Sequence, residues 1–296
     1  MSLLHHLNII RRAKGNGDLF PSVGQQTQPA PSGTSEHPIG GNLWSRVTKE
    51  VMWFRHTTHT LELANWPSMH IVHLTDVHIR DEGLFLDRVI SEVSGLMPDL
   101  IVLTGDLITK GWTDRAIDRF LCALADVPKV AILGNWEHWV VGSLVDWRHR
   151  LDRFGIRLLV DETQSLCING IDIHIIGTDD HLAGNSNPEI LCAELVDIHE
   201  SPPTLCLTHS PAHFDSLHPY PLDLILAGHA HGGQIRIPKL GALWVPKGTK
   251  EYVAGWYTQA KSHLFVSRGM GWSVAPIRWR CPPEIAHIFI NPKQTP

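Results

Sequence analysis

From residue 44 onward, short apolar runs alternate with longer segments in which apolar side chains return every three or four positions. Residues 71–74, 100–103 and 130–133 are such runs, broken only by His73, and read as strands buried on both faces. Between the first two, Leu86, Val89, Ile90, Val93 and Leu96 would line one side of a helix; before the third, Ile117, Phe120, Leu121 and Leu124 repeat the pattern. Strands alternating with helices predict βαβ crossovers and a largely parallel sheet.

The second half is richer in strands. Residues 166–169 and 171–176 alternate in polarity around Asn169-Gly170, a dipeptide suited to a two-residue hairpin turn. Residues 189–198 read as a helix, 204–207 and 224–227 as buried strands, and the chain from Trp244 onward as irregular strands. The expectation is an α/β architecture of two packed sheets flanked by helices, without internal repeats. Residues 14–42 carry Gly, Pro, Ser, Gln and Thr with no apolar period, so 1–43 is expected to be a disordered or loosely packed segment and 44–296 one catalytic domain.

Composition narrows the partners. The net charge of −5, from 25 basic and 30 acidic residues, offers no polycationic surface for a nucleic acid polymer. Five cysteines, Cys122, Cys167, Cys192, Cys206 and Cys281, show no Cys-Xaa-Xaa-Cys spacing and read as reduced core residues. No run approaches the roughly 20 apolar residues of a membrane span, and Arg11 and Arg12 follow the short N-terminal apolar stretch instead of preceding it, the wrong order for a secretion signal. The expected location is the cytoplasm, with peripheral contact to the inner membrane left open and no oligomeric state implied.

The candidate chemistry sits at the ends of the predicted strands. Asp76 and His78 follow the first run, Asp106 the second and Asn135 the third; His209 and the pair His229 and His231 follow the later two. Asp-Xaa-His also occurs at Asp172, Asp179 and Asp197, but Asp172 lies within a hairpin strand and Asp197 at a helix end. Open α/β sheets bind ligands beyond the carboxyl ends of their strands, so position favours Asp76 and His78. Gly105, Gly134 and Gly228 each precede a candidate, where a glycine permits a sharp exit from the strand. Carboxylate, amide oxygen and imidazole together suit Mn²⁺, Fe or Zn²⁺, and seven such side chains are enough for two ions.

The series Asp76-Val77-His78, Gly105-Asp106, Gly134-Asn135, Thr208-His209 and Gly228-His229-Ala230-His231-Gly232-Gly233-Gln234 resembles the calcineurin-like metallophosphoesterase superfamily. Ser267-Arg268-Gly269, Pro276-Ile277-Arg278 and Pro282-Pro283-Glu284 resemble its bacterial branch of phosphodiesterases and UDP-2,3-diacylglucosamine pyrophosphatases. The resemblance implies a four-layer α/β/β/α sandwich of two mixed sheets flanked by helices. It implies one ion at Asp76, His78 and His231, a second at Asn135, His209 and His229, and Asp106 bridging both. The implied activity is hydrolysis of a phosphodiester or pyrophosphate bond by metal-activated hydroxide, with a lipid-linked nucleotide as one substrate. A metal-binding scaffold without turnover and a mononuclear zinc hydrolase are the alternatives.

The pattern breaks at Trp136, where family members carry a histidine that helps bind phosphate and protonates the leaving oxygen. An indole cannot act as a general acid. That tilts the expected substrate toward pyrophosphates or activated diesters, whose leaving groups need less proton assistance. His138, two residues on, is the substitute proton donor to consider. Trp112, Trp136, Trp139 and Trp272 fall near the proposed loops, with Trp136 a candidate substrate wall; Arg268 and Arg278 are candidate phosphate contacts, with ion pairing as the other reading. The turn Asp179-Asp180-His181 either lines the same cleft or is a plain turn.

Overall fold

The apolar runs of the first half become neighbouring parallel strands. The computed structural model describes residues 48–187, 191–192 and 202–293. In it β1 (Arg55–Leu63), β2 (Met69–Leu74), β3 (Leu100–Thr104), β4 (Lys129–Ile132) and β5 (Ile156–Leu158) share a sheet with the late strand Glu284–Pro292, β14 in chain order. The order is β1-β14-β2-β3-β4-β5, with β2 to β5 parallel and β14 running antiparallel to β2. The crossovers carry α1 (Leu84–Val93), α2 (Asp114–Ala123), a short α3 (Asn135–Val140) and α4 (Leu144–Arg153). Thr113 and Ser143 cap α2 and α4 by accepting N–H groups from Ala116 and Asp146.

The second sheet contains β6 (Glu162–Ile168), β7 (Ile171–Gly177), β8 (Thr204–Leu207), β9 (Leu224–Ala227), β12 (Gly255–Gln259) and β13 (Ser262–Val266), ordered β12-β13-β9-β8-β7-β6. Between β9 and β12 a separate ribbon pairs β10 (Arg236–Ile237) with β11 (Gly241–Ala242). The β6–β7 turn is Asn169-Gly170, both with positive φ (52° and 82°), which matches the twist of a tight hairpin.

Alternation along the buried strands sorts side chains into layers. Ile71, Leu100, Val102, Val130 and Ile132 meet Ile173, Ile175, Leu205, Leu207, Leu224 and Leu226 between the sheets. Their neighbours Val72, Leu74, Ile101, Leu103 and Ala131 pack outward with the apolar faces of α1, α2 and α4. On the far side, Cys206, Ile225, Ala227 and Val266 pack with Phe214 and Leu217 of α5 (Phe214–Leu217). This is the expected four-layer α/β/β/α sandwich.

Two expectations change. Cys122 and Cys167 are exposed, on the outward faces of α2 and β6, so only Cys192, Cys206 and Cys281 are core residues. Of the helix expected over 189–198, only 191–192 are described, and they are helical; Asp197 and the segment 1–43 lie outside the described residues.

Candidate metal centre

All seven candidate ligands are buried, at the carboxyl ends of β2, β3, β4, β8 and β9. Ligand atoms of Asp76, His78 and His231 lie within 4.8 Å of one another, as do those of Asp106, His209 and His229. Asp106 stands between the groups, its Oδ2 3.3 Å from His209 Nε2 and 3.7 Å from His78 Nε2. Asn135 supplies a buried Oδ1 with no partner among the described residues.

The backbone is bent to deliver these groups. Asp76, His78, Asp106, His229 and His231 all have positive φ, between 49° and 65°. The left-handed region costs a non-glycine residue on the order of 1–3 kcal/mol and persists where surrounding structure fixes it. Close approach adds a second constraint: a Cβ at Gly134 would fall on the Asp106 carboxylate. Trp136 N–H donates to Asp106 Oδ1 at 2.9 Å, and His229 N–H to both oxygens of Asp76 at 3.1 and 2.9 Å.

Hydrogen bonds on the far nitrogens aim two of the rings. His209 Nδ1 donates to Thr104 O at 2.7 Å, so Nε2 is the nitrogen that faces Asp106 and would be given to an ion. His229 Nε2 donates to Lys247 O at 2.7 Å, leaving Nδ1 as the free lone pair, 3.2 Å from His209 Nε2. These carbonyls fix the tautomer, as partners of metal-binding histidines commonly do. His78 and His231 stack with their Nε2 atoms 3.0 Å apart, and both Nδ1 atoms are buried without partners among the described residues.

The electrostatics favour cations. Burial lowers the His78 and His229 imidazoles to about 4 and holds His231 well below its ordinary value, so all three are neutral, as ligands must be. Burial raises the Asp76 carboxyl, and repulsion from Asp106 adds to the effect. Burial also works against the Asp106 charge, but His209, charged in the absence of metal, holds that carboxyl below its usual range. Packed buried carboxylates, neutral imidazoles and an orphaned amide oxygen together fit a pair of divalent ions.

Glu137 completes the arrangement, and motif reading alone passed over it. Fully buried, it accepts N–H groups from Asp106 (2.8 Å), Leu107 (2.7 Å) and Gly134 (2.9 Å), clamping the β3 and β4 exits together. Its only signal in the sequence is a carboxylate two residues after Asn135, at the third position of a helix.

The other candidates disperse. Trp136 stands edge-on to His78, with ring centroids 5.8 Å apart, and Trp139 packs against it. Trp272 packs on Phe85, whereas Trp112 packs on Trp147. Arg268 pairs with buried Glu284 at 2.8 Å. Arg278 cannot serve as a phosphate contact: it is fully buried and donates to the carbonyls of Arg268, Gly269, Gly271 and Cys281. It thereby braces the loop whose Met270 N–H bonds Thr75 O behind Asp76. His138 is paired with Asp179 at 2.6 Å.

Residues 69–233 match the family model of the calcineurin-like phosphoesterases. The chain belongs to that family. It is 32% identical over 257 residues to the uncharacterized metallophosphoesterase YkuE of Bacillus subtilis, covering 83% of this chain and 88% of the relative. It is 30% identical over 248 residues to the phosphodiesterase YaeI of Escherichia coli, covering 80% and 88%. It is also 24% identical over 284 residues to the UDP-2,3-diacylglucosamine pyrophosphatase LpxG of Chlamydia muridarum, covering 76% and 84%. Membership makes it a metal-dependent phosphoester hydrolase, and the two ligand groups are where this calcineurin-like chain would hold its ions.

Proposed function

We propose that this chain hydrolyses a phosphodiester or pyrophosphate bond at a two-cation centre, on a substrate with a lipid-linked part. The observation that carries the reading is Asp106, one carboxylate within reach of both ligand groups. Asp76, His78 and His231 would hold one ion, Asn135, His209 and His229 the other, with Mn²⁺, Fe or Zn²⁺ matching the donor set. Bound there, the ions would polarise phosphoryl oxygens and lower the pKa of a water. The chain's own part is to fix the rings through Thr104 O and Lys247 O, to hold Asp106 through Glu137, and to exclude solvent from the buried ligands.

The lipid-linked part is supported by a groove of about 250 Å³ lined by the ligand His78, by Ile79, Leu84, Phe85 and Trp272, and by the charged Arg80 and Asp81. A groove with apolar walls that shares a ligand residue with the metal centre suits a hydrocarbon or acyl portion. Peripheral membrane contact is supported by charge. Of the eight Lys or Arg in residues 228–283, Arg278 is buried and Arg268 and Lys250 pair with Glu284 and Asp215, which leaves Arg236, Lys239, Lys247, Lys261 and Arg280 against the single acid Glu251, in a chain of net charge −5. Leu240, Leu243, Trp244 and Val274 in that span are exposed, and aromatic and aliphatic groups beside basic ones match an anionic lipid surface. The name of LpxG, a pyrophosphatase of a diacylated sugar nucleotide, points the same way.

The test is hydrolysis by Mn²⁺-loaded protein of an aryl phosphodiester and of a UDP-linked diacylated sugar. Turnover that disappears in Asp106→Ala and Asn135→Ala is expected. Two ions bound with no turnover of either compound would instead favour the scaffold, and one ion per chain the mononuclear hydrolase. Co-sedimentation with anionic vesicles, weakened in Trp244→Ala and lost in high salt, tests the membrane contact.

A further inference from the structure

We propose that His138, held by Asp179, delivers the proton to the leaving oxygen in place of the family histidine whose position Trp136 occupies. This rests on the hydrolase reading above and adds a residue to its chemistry. On sequence spacing, a shift of two positions would redirect a side chain, but α3 changes that count. Residues three apart share a helix face, so His138 lies one turn along from Asn135 on the same side. Trp136 turns to the other ligand group, edge-on to His78.

The partner comes from the other sheet. β7 ends at Gly177, which lies opposite Leu207 of β8, and Thr178 N–H continues the ladder to Leu207 O at 3.0 Å. Two residues further on each strand are Asp179 and His209, so Asp179 is level with the ligand His209. The His138–Asp179 pair therefore links the helix that begins at Asn135 to the β7 exit, next to the β8 exit that carries His209.

Asp179 is itself fixed, accepting N–H groups from Asp180 at 2.7 Å and Asn185 at 3.0 Å. His138 Nε2 donates to its Oδ1, and among the described residues this is the ring's only hydrogen bond, so Nδ1 is left to carry a second proton. The bond to Asp179 raises the imidazole above its ordinary value against the opposing effect of burial, and Asp180 and Glu137 also favour the cation. Asp180 beside it is fully buried, with Oδ2 accepting N–H groups from Leu182 and Ala183 and Oδ1 unpartnered among the described residues.

The step balances. The attacking water oxygen forms a bond to phosphorus as the bond from phosphorus to the leaving oxygen breaks. The bonding pair stays on the leaving oxygen, which takes the proton from His138 Nδ1. The ring is left neutral, with Nε2–H still donated to Asp179, and regains a proton from solvent in place of the one the water gives up.

The experiment compares wild type with His138→Gln on aryl and alkyl phosphodiesters of graded leaving-group pKa. Wild type should show a shallow dependence, and His138→Gln should lose about 10²–10⁴-fold on the most basic leaving group and far less on nitrophenolate. Two ions per chain should remain in the variant. A readout independent of turnover is the NMR titration of His138 in metal-free protein, whose raised pKa should fall toward the ordinary histidine value in Asp179→Asn. Parallel leaving-group slopes in wild type and His138→Gln, or a His138 pKa unmoved by Asp179→Asn, would overturn the proposal while leaving the hydrolase reading intact. A wild type inactive on every ester would sink both.

Discussion

In the group Asp106, His209 and His229, each ring is aimed by a backbone carbonyl. In the group Asp76, His78 and His231, the far ring nitrogens meet no acceptor among the described residues. Both groups are buried and contain a carboxylate and two imidazoles. They differ in what holds the rings before an ion arrives. Hydrogen-bond partners on the far nitrogen of a ligand are worth roughly 10–100-fold in metal affinity, so the Asp76 group relies on the ion to order it and the Asp106 group is ordered in advance.

Asp106 is the point at which the groups cannot be told apart, and Asp106→Ala should be the most damaging change. Activity is expected to fall by about 10³-fold or more, equivalent to several kcal/mol of transition-state stabilisation. Elemental analysis should show both ions weakened. Loss of only one would mean that Asp106 belongs to a single group.

Next in size is the asymmetry itself. Mn²⁺ titrated into metal-free protein should bind in two steps separated by about 10–100-fold, the range attributed to hydrogen bonds that hold a ligand's far nitrogen. His231→Gln should remove the weaker step and His229→Gln the tighter one, read by calorimetry. Equal affinities would break the comparison.

Glu137→Gln tests the clamp that the second group shares with the β4 exit. Replacing a carboxylate that accepts three short N–H bonds should cost about 1–3 kcal/mol, the penalty of leaving buried groups poorly paired, and lower the melting temperature. A variant that melts like wild type would show the clamp to be dispensable.

The smallest effect concerns pH, away from the centre. Burial, reinforced by His56 and His70, lowers His287 to about 4. The unfolded chain, titrating near 6.5, therefore binds more protons than the folded one as pH falls. Stability is fully present above pH 6.5 and declines progressively from there toward pH 4. Denaturant midpoints at pH 7 and pH 5 should differ in that sense, and His287→Phe should reduce the difference.

Parts of this molecule were legible in the sequence for physical reasons. β3 and β4, buried on both faces, read as unbroken apolar runs, and the Asn169-Gly170 turn carries its own backbone preference. The ligands were found because each follows such a run. β1 was harder: Arg55–Leu63 contains His56, Thr57, Thr58, His59 and Thr60, and it is a strand because β14 pairs with it over nine residues. That is a tertiary cause with no local trace. α3 hid because six residues cannot show a period, and with it were hidden the clamp by Glu137 and the placement of His138 beside Asn135. Arg278 looked like a phosphate contact because composition does not reveal burial.

The insertion of β14 between β1 and β2 has a consequence for biosynthesis. Residues 284–292 emerge from the ribosome some 210 residues after β2, roughly 10–40 s later at ordinary elongation rates. Until then β2 has β3 on one side and no partner on the other, and the 268–271 loop that braces Asp76 is made only shortly before. All seven ligands have then been made, but the backbone that braces Asp76 is still incomplete, and a ribosome stalled short of β14 would display an open sheet edge.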